Sequence, residues 1–141
     1  MKVKPNYRKL SGYRLPTEVE WEYACRAGAL TAWAHGSDEV LLGHYAWYIL
    51  NANRTMHPVG SLKPNALGLF DMHGNACQWC QDVDGEKDNK AIEDVIKTND
   101  CVLRGGSFYD DAWGVRSAYR VRIGPANRNY TCGFRVARTY H

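Results

Sequence analysis

Arg104-Gly105-Gly106-Ser107, followed by Arg116-Ser117 and Arg120 and closed by Gly133-Phe134-Arg135, is the stretch on which the reading of this chain turns. Arginine and glycine recur there as fixed points, while the residues between them follow no regular period. A guanidinium offers several donors in a planar fork, which suits it to bracing backbone carbonyls and carboxylates where no sheet or helix ladder satisfies them. An arginine- and glycine-pinned frame with interchangeable residues in between predicts a surface displayed on a scaffold rather than a buried catalytic cluster.

Outward from that stretch, residues 101–141 hold seven Arg, no Lys and only Asp110 and Asp111 as acids, although the whole chain carries a net charge of +3. Nucleic-acid binders share phosphate neutralisation between Lys and Arg, so arginine without lysine argues for structural bracing and against a nucleic-acid partner. With 141 residues, 45% apolar and 23% charged, the chain reads as a single domain, 1–141, with a core of its own. Five Trp and nine Tyr predict that the core is aromatic. No apolar run reaches membrane-span length and no apolar leader follows Met1, so the chain as given reads as cytoplasmic, with no membrane partner; export or surface display would depend on other segments. Five cysteines, at 25, 77, 80, 101 and 132, read as reduced thiols rather than as a disulfide framework.

Thr17-Glu18-Val19-Glu20 is a capping box behind Pro16, and it predicts a helix from about 18 to 27 with Gly28 as terminator. Val19 with Tyr23, and Trp21 with Ala24 and Cys25, supply apolar groups at helical spacing, and Glu18, Glu22 and Arg26 form another face. Residues 31–63 show no sustained period and read as loops and short turns, with Tyr45-Ala46-Trp47-Tyr48 as core filler. Leu69-Phe70-Asp71-Met72 reads as a short strand or turn before a tight bend at Gly74-Asn75. The polar stretch 82–100 reads as a surface insertion with a short helix near 91–97. Cys101-Val102-Leu103-Arg104 and Gly133-Phe134-Arg135-Val136-Ala137 read as strands able to pair antiparallel with each other.

Three ordered motifs carry a resemblance: Tyr13-Arg14-Leu15-Pro16-Thr17-Glu18-Val19-Glu20-Trp21, Asn65-Ala66-Leu67-Gly68-Leu69-Phe70-Asp71-Met72-His73-Gly74-Asn75, and Leu103-Arg104-Gly105-Gly106-Ser107 with Gly133-Phe134-Arg135-Val136-Ala137-Arg138. Together they resemble the formylglycine-generating-enzyme family, also called the sulfatase-modifying-factor domain. The resemblance implies an α+β, C-type-lectin-like fold with two helices, small antiparallel sheets and much irregular structure. Family domains normally begin with further residues carrying a first strand and helix. Nothing before Tyr13 replaces these, which leaves a compact variant or the C-terminal part of a longer protein.

Enzymes of that family oxidise a substrate cysteine with two cysteines of their own that hold copper(I), an ion suited to soft thiolates. Counted back from Tyr119-Arg120, those thiols fall at Ala118 and Trp113; counted forward from Ser107, the first falls at Asp110. None is a cysteine, so the resemblance implies no formylglycine-generating activity here. A second branch of the fold, the variable proteins of diversity-generating retroelements, resembles the chain better, since its C-terminal segment ends in a Gly-Phe-Arg-like motif and is rewritten at adenine-templated codons. Mutating an AAY codon at its adenines excludes Gln, Lys, Glu, Met and Trp. Tyr109, Asp110, Asp111, Gly114, Tyr119, Val121, Ile123, Gly124, Tyr130, Thr131 and Cys132 all pass that filter. The resemblance makes 101–141 a candidate variable segment. The candidate contact residues for a protein or glycan ligand, within 109–132, are Tyr109, Asp110, Asp111, Trp113, Gly114, Tyr119, Val121, Ile123, Tyr130, Thr131 and Cys132. Tyrosine brings amphipathic area at low entropic cost, which makes Tyr109, Tyr119 and Tyr130 the anchor candidates.

Cys77-Gln78-Trp79-Cys80 allows a redox pair or half a zinc site, but His73 is the only further donor nearby and packing is the simpler use. Family members often bind calcium at the loop that corresponds to Asn75, Ala76 and Gln78. An amide at Gln78 in place of a glutamate weakens those candidates, because calcium favours carboxylate oxygens. No cofactor is therefore expected, and the five scattered histidines lack ligand spacing.

Overall fold

The computed structural model describes residues 11–83 and 100–139. The surface insertion expected over 82–100 falls almost wholly outside them, as does its short helix. Among the described residues, one α-helix, α1 (Glu18–Arg26), a 3₁₀ helix (Glu39–His44) and eight short strands are joined by long irregular segments. The capping box forms as the sequence predicts: the Thr17 hydroxyl accepts from the Glu20 amide, the Glu20 carboxylate accepts from the Thr17 amide, and Arg14 clasps that carboxylate at 2.6 Å through both terminal nitrogens. Ala27 then turns left-handed (φ 49°) and ends the helix just before Gly28. Only Trp21 and Cys25 of α1 are buried; Val19 and Tyr23, expected on the packed face, are 77% and 76% exposed. The correction has a physical cause. The helix packs through a narrow stripe, and its glutamates, rather than Val19 and Tyr23, reach the neighbouring arginines.

The main sheet has four strands in the order β6-β5-β4-β7: β4 (Cys77–Val83), β5 (Cys101–Arg104), β6 (Arg120–Ile123) and β7 (Cys132–Phe134). β5 runs antiparallel to both β4 and β6, and β7 runs parallel to β4. The pairing expected between 101–104 and 133–137 does not occur. Both edges of β5 are already occupied, so β7 takes the free edge of β4, while β8 (Ala137–Thr139) leaves to pair with β1 (Gly12–Arg14). The sheet is thus mixed rather than antiparallel, and β2 (Ala46–Trp47) and β3 (His73–Gly74) add a second parallel pair. Residues 69–72 form no strand.

Because paired residues share a face and successive residues alternate, Gln78, Cys80, Val102, Arg104 and Arg120 lie toward α1, and Cys77, Trp79, Leu103, Val121, Cys132 and Phe134 lie on the other face. Trp21, Cys25, Met72, Cys80 and Val102 make one core under α1. Trp33, Leu42, Ala46, Tyr48, Ala112 and Val115 make another under the loops, so Ala46 and Tyr48 are the core filler expected of that segment. His73 joins the two. Its Nδ1 donates to the Val115 carbonyl at 2.8 Å, its Nε2 accepts from the Ala34 amide at 3.1 Å, and the Cys25 thiol lies 3.7 Å away. Burial pushes this imidazole from 6.5 down to about 4, so it is neutral at ordinary pH.

Candidate ligand-binding surface

Arg104 is the central brace. Wholly buried, it donates through Nη1 to the Ala118 carbonyl (2.9 Å) and the Tyr119 carbonyl (2.7 Å), pairs through Nη2 with Glu22, and lies 5.5 Å from the Trp21 ring centroid. One side chain therefore fastens the segment entering β6 to α1. Arg120 adds a 2.7 Å contact to Glu18, and Arg135 donates to Gln78 Oε1 (2.9 Å) and to the Phe70 carbonyl (2.6 Å). Gln78 accepts from Trp21 on the same oxygen and donates to the Asp71 carbonyl. The arginines of the frame brace carbonyls, carboxylates and an amide, as their chemistry led one to expect.

The glycines of the frame are fixed by space. Gly106 has φ 66°, and a β-carbon there would lie 2.4 Å from the Gly114 carbonyl oxygen. Beyond it Ser107, Asp110 and Tyr109 close a small turn: Asp110 Oδ2 accepts from the Ser107 amide and hydroxyl, each at 2.7 Å, and Ser107 Oγ accepts from the Tyr109 amide.

On this base the expected contact residues separate into two kinds. Tyr109 (41% exposed), Trp113 (61%) and Tyr130 (70%) project outward, with Tyr119, Val121, Ile123, Thr131 and Cys132 half-buried beside them. Tyr109 and Tyr130 meet edge to face at 6.3 Å, both against the buried ring of Phe108. Trp113 meets Tyr119 at 5.4 Å and carries the Arg116 guanidinium 4.0 Å above its ring. Asp110, Asp111 and Gly114 are of the other kind, being engaged within the loop itself. Asp110 is spent on Ser107, Asp111 Oδ1 accepts from the Gly114 amide at 2.8 Å, and Gly114 is buried against Asp110 and Gly106. These three shape the loop that presents the aromatics. The sequence reading named Arg116 as a pin but did not place Phe108 or Arg54 at this surface, the latter lying 5.9 Å from the Tyr109 ring centroid. Phe108 was legible from its place beside Ser107, whereas Arg54 arrives from a loop distant in sequence and left no signal.

Cys77 and Cys80, three apart on one strand, fall on opposite faces, so the C-x-x-C spacing brings no thiols together. Cys25, Cys77 and Cys80 are buried, and desolvation holds each thiol up at about 12. At the weak calcium candidates, Asn75 exchanges both side-chain bonds with the His57 backbone, and Gln78 Oε1 already accepts from Trp21 and Arg135. A cation bound by Asn75, Ala76 and Gln78 would have to displace those bonds. Among the described residues no group of three or more His, Cys, Asp or Glu side chains is placed to hold a metal ion, and no helix is long and apolar enough to cross a membrane.

A mixed α+β scaffold with little regular structure, braced by Arg104, Arg120 and Arg135, defines a C-type-lectin-like domain of the formylglycine-generating-enzyme type. The model of the sulfatase-modifying factor enzyme 1-like domain matches residues 5–140, and the chain belongs to that family. It is 32% identical over 143 residues to serine/threonine-protein kinase pkn1 of Chlamydia pneumoniae, covering 94% of this chain and 22% of that protein. With the formylglycine-generating enzyme of Bos taurus it shares 30% identity over 152 residues, covering 93% of this chain and 40% of that enzyme. Among solved structures, Treponema denticola variable protein 1 superposes with a TM-score of 0.80 at 34% identity, over 96% of this chain and 49% of the other. PvdO from Pseudomonas aeruginosa superposes at 0.76 and 29% identity, over 92% and 54%. The chain spans about half the length of these structures and less than half of these two curated relatives.

Proposed function

We propose that this chain is a non-catalytic binding module that displays a ligand-contacting surface of Tyr109, Trp113, Tyr119 and Tyr130, flanked by Val121, Ile123, Thr131 and Cys132. The observation that carries the reading is the separation of brace from surface. Residues 104–108 are buried and bonded into the scaffold, while the exposed aromatics next to them hold little of it together. Aromatic side chains with few rotatable bonds present large amphipathic area at low entropic cost, as recognition surfaces require. The likeness to a protein named as variable supports the further step that these positions are diversified. The 22% share of pkn1 that aligns supports the idea of a module carried within larger proteins of differing activity.

Two experiments test this. The genomic neighbourhood is expected to hold a near-copy of codons 101–141 beside a reverse-transcriptase gene, differing only at template adenines; if it is absent, diversification is abandoned and the binding module alone is kept. The purified chain with copper(I) is expected to leave a cysteine-containing sulfatase peptide unconverted. The second reading, an oxidase or accessory domain of the sulfatase-modifying family, is supported by the match to the bovine enzyme. It would be adopted if that peptide were converted, but Asp110, Trp113 and Ala118 stand where the resemblance would place its thiols.

A further inference from the structure

The sheet brings together two cysteines that the sequence holds far apart. Cys77 on β4 and Cys132 on β7 are direct partners in the parallel ladder, fastened on that line by the Cys77 amide donating to the Thr131 carbonyl at 2.9 Å. Direct partners point to the same face. Neighbouring strands run about 4.8 Å apart, inside the roughly 4.4–6.8 Å window between α-carbons that a disulfide spans. Both thiols are free; Cys77 is buried and Cys132 half-exposed, so an incoming reagent meets Cys132 first. No other cysteine competes for Cys77. Cys80 and Cys25 lie in the core on the α1 side, and Cys101 sits at the far end of β4 opposite Val83.

We propose that Cys77 and Cys132 form an oxidisable pair, which a low-molecular-weight disulfide such as oxidised glutathione closes into a bond between β4 and β7. Cys132 gives its proton to water, and its thiolate attacks one sulfur of glutathione disulfide and expels a glutathione thiolate. Cys77 then loses its proton, and its thiolate attacks the Cys132 sulfur and expels the second glutathione. Two protein thiols are oxidised, and one glutathione disulfide is reduced to two glutathione thiols. The bond ties the C-terminal end of the proposed contact segment, where Tyr130, Thr131 and Cys132 lie, to the central strand of the sheet. β7 otherwise has only a three-residue parallel pairing there. The location makes the link matter for the proposed surface, but its formation does not depend on any ligand.

Burial holds both thiols protonated, and at Cys77 the Asp110 carboxylate and then Cys132 push the same way. Attack requires the thiolate, so closure is slow at neutral pH and speeds up by about tenfold per pH unit in the alkaline range. The test treats the whole folded chain with oxidised glutathione, blocks remaining thiols with N-ethylmaleimide under native and then denaturing conditions, and maps peptides by mass spectrometry without reduction. The expected product lacks two hydrogens, joins the peptides of Cys77 and Cys132, leaves Cys25 and Cys80 as thiols, and unfolds several degrees higher than the reduced chain. C132S is expected to abolish the link, and C77S to leave a stable glutathione adduct on Cys132. A wild-type chain that stops at that adduct, or links Cys77 to Cys80, would overturn the proposal. Because the readout needs no binding partner, either result leaves the binding-module reading to be judged on its own tests.

Discussion

From Arg104 to Phe108 every residue is buried, while Tyr109, Asp111 and Trp113, the alternate residues that follow, are exposed. The first stretch is fastened into the scaffold: Arg104 to two carbonyls and Glu22, Gly106 close against the Gly114 carbonyl, Ser107 to Asp110. The second touches the scaffold mainly through aromatic edges. The comparison teaches how one loop can be rigidly held and still present exposed side chains. Its backbone is held by groups that are not the ones it presents. Breaking the brace should therefore cost far more than trimming the display, and the two regions can be separated by measuring stability alone.

The largest effect is expected at Arg104. Arg104→Ala empties the space of a wholly buried side chain, takes one of two arginine partners from Glu22 and strips the Ala118 and Tyr119 carbonyls of their donor, which should cost about 3–5 kcal/mol, measured by denaturant unfolding. Next comes Gly106→Ala, where a positive φ combines with a contact to backbone that has nowhere to move. A loss of about 2–4 kcal/mol is expected, and a loss under 1 kcal/mol would mean that the loop is softer than the geometry implies.

Between brace and display lies His73, which serves both cores and offers a pH test of the braced region. Its folded value of about 4 stands below the ordinary 6.5, so the unfolded chain takes up a proton that the folded chain refuses. Stability from this group is complete above pH 6.5 and is lost as pH falls toward 4, by about 3 kcal/mol in all. Glu20, held down to about 2 by the Arg14 guanidinium, loses its own contribution only below its ordinary 4.5, so the windows scarcely overlap. Urea midpoints measured from pH 7.5 to 4.5 should fall in the wild type, and His73→Gln should flatten that slope.

The same contrast explains what could be read before the structure. The capping box, the arginine pins and the Gly74-Asn75 bend are local chemistry, and each sits where its residues predict. The central strand β4 escaped notice because Cys77-Gln78-Trp79-Cys80 looks like a thiol motif and lacks clean alternation. Its two neighbours come from residues 101–104 and 132–134, so the strand is defined by partners that no local window contains. At the proposed surface, Tyr109, Trp113 and Tyr130 are exposed, whereas Asp110, Asp111 and Gly114, which pass the filter for variable positions, also bond or pack within the turn. Residue type alone cannot tell an aspartate that meets a ligand from one that caps its own loop.

The smallest effect, and the sharpest test of the contrast, belongs to Tyr130. Its ring touches Phe108 and Tyr109 only at edges or tilted, at 6.1 and 6.3 Å between centroids, and 70% of its surface is open. Little apolar area leaves water on folding, so Tyr130→Ala should change stability by no more than about 0.5 kcal/mol, and Trp113→Ala by only slightly more because Arg116 rests on its ring. Thermal melts of the single variants and of Tyr109→Ala should overlay on the wild type within a few degrees. If the three replacements together melted the domain as Arg104→Ala does, the aromatics would be interior brace rather than display, and the division between the two regions would be lost. If they left the melt intact, the exposed positions Tyr109, Trp113 and Tyr130 would be free to change on a scaffold indifferent to what they carry, which is the property a diversified contact surface needs.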